Sequence, residues 1–109
     1  MDLLELINRK SNELDIAVKS LRNTGKDYAE AYTNYRMELA KELMRLKEEG
    51  YAITLAGDIA RGKRDIAMLK FKEISTEAIY KANLESINAI KLQIKLLDAQ
   101  INREWGGNA

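Results

Sequence analysis

The stretch "GDIARGKR" at residues 57–64 decides between two kinds of fold. Its spacing is glycine, four residues, glycine, lysine. That is one residue short of a P-loop, in which the loop closes on lysine and then serine or threonine. Here the last place holds Arg64. A P-loop works through a backbone nest for phosphate, a lysine for the β- and γ-phosphates and a hydroxyl on Mg²⁺. Lys63 fits, and Arg64 fails the hydroxyl position. The loop also needs a strand before it, a helix after it and parallel strands around it. "YAITLA" at residues 51–56 passes for one strand, but the sequence offers no second strand and no apolar strand ending in Asp. The stretch therefore reads as a helical elbow, and the fold class as all-α.

The flanking sequence agrees with that reading. Among the 109 residues there is no proline, cysteine or histidine, and Ala, Leu, Ile, Glu and Lys dominate, most of them strong helix formers. Glycine is the main punctuation, at Gly25, Gly50, Gly57, Gly62 and Gly106–Gly107. Heptad positions counted from Leu4 fall on Leu4, Ser11, Val18, Gly25, Tyr32 and Leu39. The companion set is Ile7, Leu14, Leu21, Tyr28 and Tyr35. Nine of these eleven positions are apolar or aromatic, which predicts a narrow stripe. The stripe keeps its phase through Asn23, Thr24 and Gly25, so one continuous helix and two helices with a tight break both stay open. Gly50 is a C-cap candidate, and Thr54 is placed to cap the elbow. From Lys63 to Trp105 nothing breaks the helix. Its apolar set is Ala67, Phe71, Ile74 and Ala78, then Ile87, Ile90, Ile94, Leu97, Ile101 and Trp105.

The expected architecture is one domain over residues 1–109, an elongated antiparallel helical hairpin of coiled-coil-like character. It comprises an N-terminal helix at 2–24, a long helix at 25–49, an elbow at 54–62, a second long helix at 63–105 and a flexible tail at 106–109. A two-helix hairpin buries its stripe poorly by itself. The seam of Leu4, Ile7, Leu14, Val18, Leu21, Tyr28, Tyr32, Tyr35 and Leu39 therefore predicts a homo-oligomer.

Composition narrows the chemistry. Lys and Arg number 18 against 17 Asp and Glu, so the chain is neither a polybasic nucleic-acid binder nor an acidic mimic. Without Cys and His there is no thiolate or imidazole ligand and no Ser-His or Cys-His nucleophile pair. Glu38 with Glu42, and Glu73 with Glu77, have the spacing of two ligands on one helix face. Carboxylate di-metal sites of helical bundles also use Glu-x-x-His, which is absent. These acids read as ordinary surface ion pairs. No cofactor, no metal and no enzymatic activity are expected. No apolar run reaches 18 residues, so no membrane span is expected, and a cytoplasmic protein follows. "MDLLELINRK" reads as the first turns of a helix, with no signal peptide. One cluster remains: Arg61, Lys63, Arg64, Lys70 and Lys72, with Asp65 among them, a candidate contact for a partner or for nucleic acid. Phe71 beside it reads as core.

Three runs taken together, "YRMELAKELMRLKEEGY", "GDIARGKRDIAMLKFK" and "IYKANLESINAIKLQIKLLDAQINREW", carry a resemblance over about residues 28–105. They resemble short helical accessory proteins encoded by temperate phages and prophages of Gram-positive bacteria. The resemblance implies a phage accessory protein that works in the bacterial cytoplasm by binding another protein. The setting is phage DNA metabolism or the blocking of a host defence system. It carries over no functional residue.

Overall fold

The computed structural model describes residues 2–106. Among them it shows three helices and no strand: α1 at Leu3–Glu48, α2 at Ile53–Gly62 and α3 at Arg64–Gly106, of 46, 10 and 43 residues. The all-α class follows. No helix among the described residues is long and apolar enough to cross a membrane.

Asp2 starts α1. Its Oδ1 accepts the Glu5 N–H at 2.8 Å, satisfying one of the first-turn amides that lack a helical partner. The helix then runs unbroken through Asn23, Thr24 and Gly25. The expected separate helices at 2–24 and 25–49 are thus one. The glycine costs about 1 kcal/mol against alanine. Half-buried Leu21, Thr24 and Tyr28 on either side hold the turn in place. A break would forfeit backbone bonds and burial together.

The end of α1 is set by Gly50, whose φ is 98°. Its N–H donates to the Lys47 carbonyl at 3.0 Å, and the Tyr51 N–H donates to the Leu46 carbonyl at 3.2 Å. Those two bonds make a Schellman turn, which needs the left-handed conformation that glycine adopts without strain.

Helix α2 starts one residue earlier than the expected 54. Its cap position is Ala52, with no side-chain cap hydrogen bond, so Thr54 lies inside the first turn and does not cap. Packing sets this start. Ala56 and Ala60 are 1% and 0% exposed, and Gly57 between them is also buried. Lys63 alone separates α2 from α3, with φ −66° and ψ 138°. Its N–H donates to the Ala60 carbonyl at 3.2 Å, and its own carbonyl accepts the Ala67 N–H at 2.8 Å. Helix α3 begins after it and ends at Gly106, close to the expected 63–105. The rest of the expected tail lies outside the described residues.

The chain forms two compact units, one from Thr24 to Ile79 and one from its two end segments, through Asn23 and from Tyr80. Both draw on α1 and α3. In the central unit Tyr35, Leu39, Leu46, Ala56, Ala60 and Ile66 form the core, with Leu43, Ile59 and Leu69 packed against it. The three small residues of the α2 face let its backbone approach Leu46 and Ile66 closely. In the terminal unit Ile87 and Ile90 are buried. The Asn83 amide Nδ2 donates to the Ala17 carbonyl at 2.9 Å, tying α3 to α1.

The covered side of α3 repeats every seven residues. Ile66, Glu73, Tyr80, Ile87, Ile94 and Ile101 form one row, and Leu69, Thr76, Asn83, Ile90 and Leu97 the other; all are buried or half-buried. On α1 the covered rows are Ile7, Leu14, Leu21, Tyr28 and Tyr35, and Leu3, Lys10, Ala17, Thr24 and Ala31. The first row is half of the expected seam. The other half is displaced by one residue: Leu4, Val18 and Tyr32 are about half exposed, at 50%, 48% and 47%. One residue is 100° of helix rotation. Leu39 is buried, where the rows shift onto Leu39 and Leu46.

Candidate interaction surface

The P-loop-like stretch is helix from the start. Residues 57–62 lie within α2, so their amides point along the helix and form no phosphate nest. A Cβ added at Gly57 would stand 2.9 Å from the Arg61 guanidinium, which folds back over it.

The five basic candidates do not form one surface. Arg61 pairs with Asp58 at 3.3 Å. Lys63 reaches Glu42 of α1 at 3.1 Å. Glu42 also pairs with Arg45, which in turn holds Glu49. The Arg45 hydrogen bond foremost, with Lys63 adding to it against partial desolvation, lowers the Glu42 carboxyl from 4.5 to about 2. Lys70 pairs with buried Glu73 at 2.9 Å and lies 4.8 Å from the centroid of the Tyr35 ring. The Glu73 hydrogen bond raises the Lys70 pKa. Arg64 and Lys72 are exposed and make no ion pair among the described residues. Three of the five charges are thus answered by the chain's own acids.

The carboxylate pairs are likewise engaged. Glu38 binds Lys41 at 3.1 Å, and Glu42 and Glu73 bind the cations just named. Among the described residues no three acids gather as a metal site would require.

The side of α3 facing away from the covered rows is apolar in the central unit. Met68 is 56% exposed, Phe71 64%, Ile74 56% and Ile79 58%. The apolar set Ala67, Phe71, Ile74 and Ala78, expected as core, is solvent-facing instead. The helix carries two competing stripes here, and the buried one runs through Ile66, Leu69, Glu73 and Thr76. Polar residues occupy half of it, which hides it from an apolar pattern. Beside Met68 and Phe71 lies a groove of about 690 Å³, lined also by Glu38, Asp65, Leu69, Lys72 and Ser75. Exposed Met68 and half-buried Ser75 are groove residues that the sequence did not single out. A seven-residue repeat counted from Ile66 instead of Ala67 would have found the covered side and left Met68 and Phe71 outside it.

The aromatic candidates divide in the same way. Tyr35 is buried and Tyr28 half-buried, while Tyr32 and Trp105 are exposed. In the terminal unit Trp105 lines a small hollow with Leu4 and Ile101.

Comparison with protein-family models, with curated proteins and with solved structures gives no match.

Proposed function

We propose that the protein is a non-enzymatic helical interaction protein that acts by binding a protein target. The observation that carries this reading is the exposed apolar side of α3, with Met68, Phe71, Ile74 and Ile79 left in water on a helix whose opposite side is already covered. A monomeric surface rarely keeps such large side chains together without a partner. The proposal places the protein in the bacterial cytoplasm as a phage-encoded accessory, serving phage DNA metabolism or inhibition of host defence. It takes the chain as an antiparallel, coiled-coil-like hairpin that self-associates. The experiment is capture from host lysate with mass spectrometry, using the wild type and the Phe71→Asp/Ile74→Asp variant. A target retained by the wild type and lost by the folded variant supports the reading; an unchanged set of captured proteins overturns it.

Arg64 and Lys72 favour a second reading, a nucleic-acid accessory, because both are exposed and make no ion pair among the described residues. Phosphate contacts by two cations predict weak, salt-sensitive binding. A shift of labelled DNA or RNA at about 50 mM salt, lost in Arg64→Ala/Lys72→Ala, would establish it.

A further inference from the structure

We infer that the α3 side around Met68 is the contact between two copies of this chain, crossing antiparallel about a two-fold axis near Met68 and Leu69. The inference rests on the reading of exposed α3 as an interaction surface and names the occupant of one part of it.

Charge placement points to a second copy. Asp65 and Lys72 lie seven residues apart on one edge of α3, three residues before and four after Met68. Seven residues are close to two turns, so both side chains project in nearly the same direction. Neither is engaged in an ion pair among the described residues. The Asp65 Oδ1 accepts the Ile66 N–H at 3.1 Å, and Lys72 makes no ion pair among the described residues, with Asp27 and Glu30 of α1 lining a hollow beside it. A two-fold contact brings residue i of one copy to residue j of the other and j to i. Centred between Met68 and Leu69, it sets Asp65 of each copy against Lys72 of its mate, twice over.

Shape agrees with charge. The same centre sets Phe71 of one copy level with Ile66 of the other, whose side chain is turned into the core, beside exposed Ala67. A large exposed ring thus meets a place where little side chain projects. Exposed Met68 lies at the middle, and its flexible thioether fills irregular gaps well. The groove's lining bears both signs, Glu38 and Asp65 against Lys72. A polyanion or an anionic membrane would meet repulsion from the two acids. The chain's net charge of +1 gives two copies little reason to repel each other.

The test is the mass of the full chain by light scattering and sedimentation at about 10 μM, the range of a modest protein contact. The wild type should run at twice the mass of one chain. Lys72→Asp should weaken the dimer tenfold or more, because it sets two acids against each other at both pairs. Asp65→Lys should do the same with two lysines. An equimolar mixture of the two variants should recover the dimer as a heterodimer. Lys72 is exposed and makes no ion pair among the described residues, so its variant tests the contact even if Asp65→Lys loosens the first turn of α3. A monomeric wild type overturns the inference, as does an undiminished dimer in folded Lys72→Asp. Failure to recover a dimer on mixing overturns it too. A monomeric wild type that still captures a target through Phe71 and Ile74 would leave the interaction reading standing while this inference falls.

Discussion

Lys63 Nζ lies 3.1 Å from Glu42 Oε1, so the one extended residue between α2 and α3 is fastened to the side of α1. The same carboxylate holds Arg45 one turn further along α1. Glu42 therefore answers two cations, and its depressed pKa keeps the fastening charged down to about pH 2 while linking its stability to pH.

The pH dependence follows from the sign of that shift. Glu42 falls from 4.5 to about 2 on folding, so its contribution is complete above about 4.5 and is lost as pH drops towards 2. Glu42→Gln should melt below the wild type at pH 6, and the two melting curves should converge near pH 2. A gap that stays constant across the range would contradict this assignment.

Two substitutions on α3 distinguish its two stripes. Ile66 is 3% exposed within the central core, so Ile66→Ala should cost about 2–5 kcal/mol in urea unfolding. Phe71 is 64% exposed, and Phe71→Ser should change stability by less than about 0.5 kcal/mol in dilute protein. The reverse ranking would show that the helix is rotated.

Gly50 tests the backbone alone. Nothing lies within 4 Å of a Cβ built there, so Gly50→Ala meets no steric obstacle from neighbours. The positive φ remains, and holding alanine there should cost about 1–2 kcal/mol. Denaturant titration of this variant beside Gly62→Ala, which lacks the positive φ, separates the backbone effect from the loss of a glycine.

In the terminal unit the amide of Asn83 is the probe. It donates to the Ala17 carbonyl across 66 residues of sequence, in a partly buried setting. Asn83→Ala should cost about 1 kcal/mol. Hydrogen exchange should place the loss in the end segments of the chain and leave Tyr35 and Leu46 protected.

The all-helical class and the elbow were legible because they depend on local signals. Helix formers without proline, and a P-loop pattern without its hydroxyl or its strands, leave one reading. Ile87, Ile90, Ile94, Leu97 and Ile101 were legible as a covered stripe for the same reason. What escaped was decided across space. Glu73 sits in a covered row because Lys70 neutralises it, and Asn83 because the Ala17 carbonyl accepts its hydrogen bond. Ala17 and Ala31 line α1 because small side chains allow close approach, and a stripe of large apolar and aromatic residues picks Val18 and Tyr32 in their place. Phe71 and Ile74 drew the core assignment through sheer apolar size. The basic cluster was visible as a cluster, but the partners of Arg61, Lys63 and Lys70 were not.

The distribution of contacts along the chain also bears on the order of assembly. In the central unit Leu46, Ala56, Ala60 and Ile66 are neighbours in sequence, joined through the Gly50 turn and the Lys63 elbow. Closing so short a stretch gives up little chain entropy. The terminal unit must bring Ala17 to Asn83, and loop entropy rises with that separation. Once the elbow has formed, the intervening chain is already shortened, and the far contact becomes nearly local. The elbow that resembled a phosphate loop is thus the part of the chain whose contacts cost the least closure entropy, and the Asn83–Ala17 bond is one of those that cost more.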